Sequence, residues 1–275
     1  SGPCLPPHTA DCVVVEPGRM LGGRDSPFGL NIGLPYDFGL EVGDGSSPGA
    51  RYVFAGGTSV TGGGYLEVSP FNTLVSNVEV DGFSSLTVEG TVEGNILNSP
   101  RFDPADGSRV YIDLTGQVQG NLDNAGTAVL LGHLTGNVVN TGELNFTGVV
   151  DGTLTNSGRM IVTGFAVLQP DTFGTINGNF IQTADGTFVL KFAPGDPAFQ
   201  AGPLQVAGQA QLAGTLELGV YEDAFGPYPL PGAAAQHLIH ANGGVTGQFA
   251  QWTSPGLFLE GSVRYASNDV WFDLT

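Results

Sequence analysis

Short apolar-alternating runs, each closed by glycine or asparagine, fill most of this chain. Between Gly94 and Gln182 the pattern becomes a repeat. Gly94-Asn95-Ile96-Leu97-Asn98 returns as Gly120-Asn121-Leu122-Asp123-Asn124, Gly136-Asn137-Val138-Val139-Asn140, Gly152-Thr153-Leu154-Thr155-Asn156 and Gly178-Asn179-Phe180-Ile181-Gln182. The leading glycines are spaced 26, 16, 16 and 26 residues apart, and Gly126, Gly142 and Gly158, then Gly132, Gly148 and Gly164, keep the period of 16. A fixed period of this length is the signature of a solenoid.

The period is met by strands. Leu122, Val138 and Leu154 are equivalent positions, with Leu130, Phe146 and Val162 eight residues further on. This predicts two strand-sized segments per turn, closed by residues that accept left-handed or tight backbone angles. A helix is excluded, because glycine at this density removes too much helix propensity. Stacked turns place like residues about 4.8 Å apart. Asn98, Asn124, Asn140 and Asn156 are then read as a structural ladder of bonded amides that ends at Gln182.

The rest of the chain divides around this block. Residues 1–50, with Pro3, Pro6, Pro7, Pro17, Pro27, Pro35 and Pro48, read as an irregular N-terminal cap with a small cysteine loop; Val13-Val14-Val15, Ile32 and Leu34 are its best strand positions. Residues 51–172 read as β-helix rungs, in which Glu79, Asp81, Glu89 and Glu93 alternate with apolar neighbours and are expected to point outward. Pro194-Gly195-Asp196-Pro197 marks a loop within the C-terminal part, 173–275. The aromatic residues of the last forty positions suit a cap that seals the stack.

Composition narrows the function. Eight Lys and Arg against 26 Asp and Glu give a net charge of −18, which repels nucleic acid and anionic polymers. No basic patch exists for nucleic acid to use. No run approaches the ~20 apolar residues of a membrane helix. Cys4 and Cys12 suggest one small disulfide loop and an oxidising compartment, a free pair in a reducing cell being the alternative. His8 alone adds too few ligands for a metal centre there. Ser1-Gly2 reads as a cloning scar, with the chain expected to begin after a removed leader.

The catalytic constellations sought are missing. Gly43-Asp44-Gly45-Ser46 has the letters of a serine-protease motif in the wrong order. Gly57-Thr58-Ser59-Val60-Thr61-Gly62-Gly63 imitates a phosphate loop without its lysine and is read as a turn. His133 is expected at a turn or edge. His237 and His240 bracket an apolar run and are expected to be satisfied by neighbours rather than by metal. Trp252, Trp271, Tyr221 and Tyr228 could stack on sugars but suit a sealing role better. With 26 acidic residues, a carboxylate pair at glycosidase spacing arises by accident.

One stretch adds a resemblance. Gly178-Asn179-Phe180-Ile181-Gln182-Thr183-Ala184-Asp185-Gly186-Thr187-Phe188-Val189-Leu190 resembles the passenger-associated repeat of bacterial autotransporters, the type V secretion proteins. Gly178, Asn179, Phe180, Gln182 and Gly186 carry the match. Leu204-Gln205-Val206-Ala207-Gly208, Gly243-Gly244-Val245-Thr246-Gly247 and Tyr265-Ala266-Ser267-Asn268-Asp269-Val270 match its continuation. The likeness covers 173–275, extends through 94–172 by repeat style alone, and reaches 1–93 only in composition. It implies an all-β fold, a right-handed parallel β-helix whose C-terminal portion acts as autochaperone, displayed on or released from the bacterial outer membrane. A linker helix and membrane barrel follow such a segment in the family; the sequence ends at Thr275 before either, so it reads as the passenger portion. The expected function is non-enzymatic adhesion or self-association without cofactor or metal. Its partners are then copies on neighbouring cells, host or surface glycans or proteins, and the chain's own barrel. The alternative is a glycan-binding or glycan-cleaving β-helix.

Overall fold

The computed structural model describes residues 12–15, 30–32, 39–42, 49–99, 107–163, 174–192, 204–220, 222–223, 226–227, 235–255 and 260–275. The cysteine loop expected between Cys4 and Cys12, the strand position Leu34, the loop at 194–197, Tyr221 and Tyr228 lie outside what is described at side-chain level. The chain forms two compact units, Ser1–Asn137 and Val138–Thr275. Each is a parallel β-helix.

In the first unit the chain visits three parallel sheets in turn. Tyr65–Val68, Ser85–Val88, Arg109–Ile112 and Thr127–Leu130 stack in the first sheet. Thr58–Val60, Val78–Asp81, Ile96–Ser99 and Leu122–Asn124 form the second. Arg51–Val53, Thr73–Val75, Thr91–Glu93, Gln117–Gln119 and His133–Leu134 form the third. The stack reaches into the segment expected to be irregular: Cys12–Val15 and Gly39–Val42 pair ahead of Tyr65–Val68, and Leu30–Ile32 ahead of Thr58–Val60.

A turn therefore holds three strands, not two. The third is only His133–Leu134 in one rung and Val149–Val150 in the second unit, too short to show alternation. His133 accordingly sits in a strand opposite Gln117, not at a turn. Thr58–Val60 is likewise a strand, with the flanking Gly57, Gly62 and Gly63 at positive φ making the turns. Asp81 is buried rather than outward, because alternation ends where the chain bends at Gly82, φ 64.

Like sits on like in the core. Leu66, Leu86, Val110 and Ala128 form one buried column of the first unit. Leu144, Met160, Phe188 and Leu216 form one in the second. Each fully buried Val, Leu, Met or Phe in these columns contributes about 1.5–3 kcal/mol. Except at Gly94, whose φ is 154, the leading repeat glycines serve close approach rather than unusual torsions. A Cβ on Gly136 would lie 2.3 Å from the carbonyl oxygen of Gly120, and one on Gly120 would lie 2.1 Å from that of Gly94. Neither glycine is in the left-handed region.

The second unit ends differently. Its third sheet runs Val149–Val150, Gly174–Ile176, Leu204–Val206 and Ala235–Ala241 in parallel, then turns antiparallel with Asp269–Leu274 and Gly261–Tyr265. Trp252 meets Phe272 edge-on at 4.8 Å, and Phe249 stacks on Phe188 at 6.1 Å.

Candidate binding face

The opening and closing polar residues of the repeat phrases do opposite work. The closing one points inward. In the first unit Asn98 Nδ2 donates to Asn124 Oδ1 at 2.6 Å and to the Thr127 carbonyl at 3.0 Å. In the second, Asn140 Nδ2 donates to Asn156 Oδ1 at 2.7 Å, and Asn156 Nδ2 to Gln182 Oε1 at 2.9 Å. All five side chains are buried. They are a structural ladder inside the coil and offer nothing to a partner on its flank. Asn98 Oδ1, in the first unit's row, and Gln182 Nε2, in the second unit's row, have no hydrogen-bond partner.

The opening asparagine makes a second row, outside. The Asn95 N–H donates to Asn77 Oδ1, the Asn121 N–H to Asn95 Oδ1, and the Asn137 N–H to Asn121 Oδ1, at 2.8 to 2.9 Å. In the second unit the Gln209 N–H donates to Asn179 Oδ1 at 2.9 Å. Each side chain thus satisfies the backbone of the next rung, where parallel strands turn a corner and one N–H would otherwise be orphaned. With one lone pair of each Asn77, Asn95 and Asn121 oxygen engaged, the exposed row presents amide N–H donors and the remaining oxygen lone pairs to solvent. The signal was present in the Gly-Asn dipeptides, which reading only the closing residue passes over.

Beside this row in the first unit lies a trough of about 610 Å³. Its floor is the outward register of the second sheet, Ser59, Glu79, Leu97 and Asp123, and its rim carries Asn77 and Asn95. Leu97 is 43% exposed. Glu79 and Asp123 flank it one rung to either side, about 10 Å apart by strand spacing.

The first sheet of the same unit carries an acidic column. Ser69 Oγ donates to Glu41 Oε1 at 2.8 Å, and the Tyr65 hydroxyl donates to Glu67. Partial burial and the neighbouring charges of Glu67, Asp113 and Glu41 raise the Glu89 carboxyl above its ordinary value. Burial, then the bond to Glu67, raises the Tyr65 phenol too.

In the second unit, His237 and His240 meet Asp269 and Trp271 at the terminal hairpin. His237 Nε2 and His240 Nδ1 lie 2.9 and 2.8 Å from the same atom, Asp269 Oδ1. His237 stacks on Trp271 at 4.0 Å, and Arg264 lies 5.4 Å from that indole while pairing with Asp273. The bond to Asp269 raises the His240 pKa. Burial opposes ionisation of Asp269, but the two imidazoles outweigh it and hold the carboxyl below its usual range. The residues of the autotransporter-like phrase each have a place: Gly178 against the Gly152 carbonyl, Asn179 in the outer row, Phe180 5.8 Å from Phe188, Gln182 in the inner row and Gly186 against the Asn156 carbonyl.

No protein-family model and no curated protein sequence matches the chain. Among solved structures it is similar to the TibC-catalyzed hyper-glycosylated TibA55-350 fragment, at 13% identity and a TM-score of 0.35 over 88% of this chain and 97% of that one.

Proposed function

We propose that this chain is an autotransporter-type passenger, secreted or displayed at the cell surface, that acts as a non-enzymatic adhesin through the outer face of its first unit. The reading rests on one observation: a row of exposed carboxamides, one per rung, bordering the trough floored by Ser59, Glu79, Leu97 and Asp123. Donors repeated at about 4.8 Å suit a partner that is itself repetitive, and weak contacts in such an array sum by multivalency. The partner favoured is a second copy on a neighbouring cell. Copies carrying a net charge of −18 repel one another, so hydrogen bonding must outweigh repulsion and association must strengthen as salt screens it.

The deciding experiment is a settling and biofilm assay on cells that display the chain from an outer-membrane barrel, against cells with the empty barrel. Faster settling that increases with salt and is lost in Asn95→Ala/Leu97→Glu supports the reading. Settling equal to the empty barrel, or abolished by salt, overturns it. Glu79 and Asp123 favour a second reading, since carboxylate acceptors beside amide donors also match a neutral, hydroxyl-rich glycan; saturable polysaccharide binding without settling would select it. Residues 173–275 are assigned the autochaperone role, so their deletion should abolish display, whereas loss of Cys4 and Cys12 should leave it intact.

A further inference from the structure

Histidines three apart on a regular strand face opposite ways, because side chains alternate with period two. His237 and His240 do not. The pairing of Ala235–Ala241 with Asp269–Leu274 slips between them: His240 faces Asp269 and Ile239 faces Val270, but His237, not Leu238, faces Trp271. Leu238 is the extra residue of a β-bulge. Leu238 and Ile239 are consequently both buried, and both imidazoles emerge on the face that carries Asp269 and Trp271. Bulges of this kind re-aim side chains next to functional sites.

The three donor atoms, His237 Nε2, His240 Nδ1 and Asp269 Oδ1, all lie within 4.8 Å of one another. Around them the rings are held in place. His237 is stacked on Trp271, and the far nitrogen of His240, Nε2, lies 3.1 Å from Asn242 Oδ1. In the tautomer whose Nε2–H donates to that amide oxygen, Nδ1 turns its lone pair toward the Asp269 oxygen, and at 2.8 Å a proton or a metal ion must lie between the two atoms. A hydrogen-bonded outer nitrogen is also the arrangement that orients a metal-bound histidine.

We propose that His237, His240 and Asp269 form a binding site for a divalent transition-metal ion of the zinc class. Ligand atoms around a tetrahedral zinc, at about 2.0–2.1 Å from the ion, stand roughly 3.4 Å apart. The nitrogen-to-oxygen distances here need to open by about half an ångström to reach that spacing, which the half-exposed His240 ring can supply. Two imidazoles and one carboxylate select a borderline ion over calcium or magnesium, which prefer all-oxygen shells. Three protein ligands leave a position for water. His237 is 9% exposed whereas His240 and Asp269 are 35% and 28% exposed, so the site opens to solvent on one side. The ion ties the last parallel strand of the third sheet to the terminal hairpin, and the chain's negative charge concentrates cations around it.

The test uses the full chain, stripped with EDTA and desalted, then titrated with zinc chloride by calorimetry and by thermal melting. One ion per chain is expected, with Tm raised by about 5 °C at a hundredfold excess over Kd. His240→Ala and Asp269→Asn should each weaken uptake at least tenfold, while His133→Ala leaves it unchanged. Asp269→Asn keeps an acceptor for the histidines and so preserves the hairpin. Should both variants misfold, electron paramagnetic resonance of the copper-loaded wild type decides, with two coupled nitrogens supporting the site and none overturning it. Absence of uptake, as for a lone proton shared between His240 and Asp269, overturns the proposal. So does weak binding of several ions that the variants leave untouched.

Discussion

The inner amide row and the terminal hairpin lie in the same unit and solve the same problem by opposite means. Both must bond polar groups that the fold places next to buried apolar columns. Along Asn140, Asn156 and Gln182 this is done with neutral carboxamides, each donor meeting the next acceptor as the rungs repeat in parallel. At the hairpin the repeat stops, the strands run antiparallel, a bulge shifts the register, and ionisable groups take over: His237, His240, Asp269, Arg264 and Asp273. Repetition gives every rung an identical partner and needs no charge. Where no next rung exists, each residue has to be matched individually, and charge returns.

The largest effect expected within the coil is from Gly178→Ala. Its Cβ would sit 2.4 Å from the Gly152 carbonyl oxygen, and backbone cannot yield as a side chain can. A loss of about 3 kcal/mol or more is expected in urea unfolding. Next comes Asn156→Leu, which leaves Gln182 Oε1 and the Thr187 carbonyl without their donor. About 2–3 kcal/mol should be lost, with no dependence on pH between neutrality and mild acid because no titrating group is removed. A loss that varied with pH would contradict the contrast drawn above.

Charge in the body of the second unit should matter less. Arg159 grips Glu217 through both nitrogens at 2.8 and 2.7 Å, and that bond holds the Glu217 carboxyl below its ordinary range. A depressed carboxyl stabilises the fold above its unfolded pKa, and the contribution disappears as pH falls through the folded value. The arginine is 39% exposed, so Arg159→Ala is expected to cost only about 0.2–1 kcal/mol near neutrality. Wild type and variant should converge in acid, which denaturation midpoints across pH would show. The smallest effect on stability belongs to Asn95→Ala in the outer row, within about 0.5 kcal/mol because the bond lost is exposed. It should instead slow the settling of displaying cells.

Much of this architecture was legible in the spacing of glycines and closing asparagines. Leu122, Leu130 and their equivalents are all buried, and Asn98 pairs with Asn124 across 26 residues as a ladder requires. The third sheet was hidden because two residues such as His133–Leu134 cannot display a period of two. Asp81 was misplaced because alternation holds only between corners. The outer row was legible only as recurring Gly-Asn dipeptides, because Asn95 and Asn121 bond to backbone rather than to like side chains. The meeting of His237 with His240 was illegible for a stronger reason. A bulge changes which way a residue faces, and its cause lies in a partner strand some thirty residues downstream.

The outer carboxamides have a further consequence. Because the oxygens of Asn77, Asn95 and Asn121 accept the backbone N–H of Asn95, Asn121 and Asn137 one rung on, their side chains are already fixed before anything touches them. A long polar side chain normally surrenders about 0.5–1.5 kcal/mol of rotational freedom when a complex forms. Here that loss was incurred during folding, so even a shallow, wet contact keeps nearly all of the enthalpy it gains.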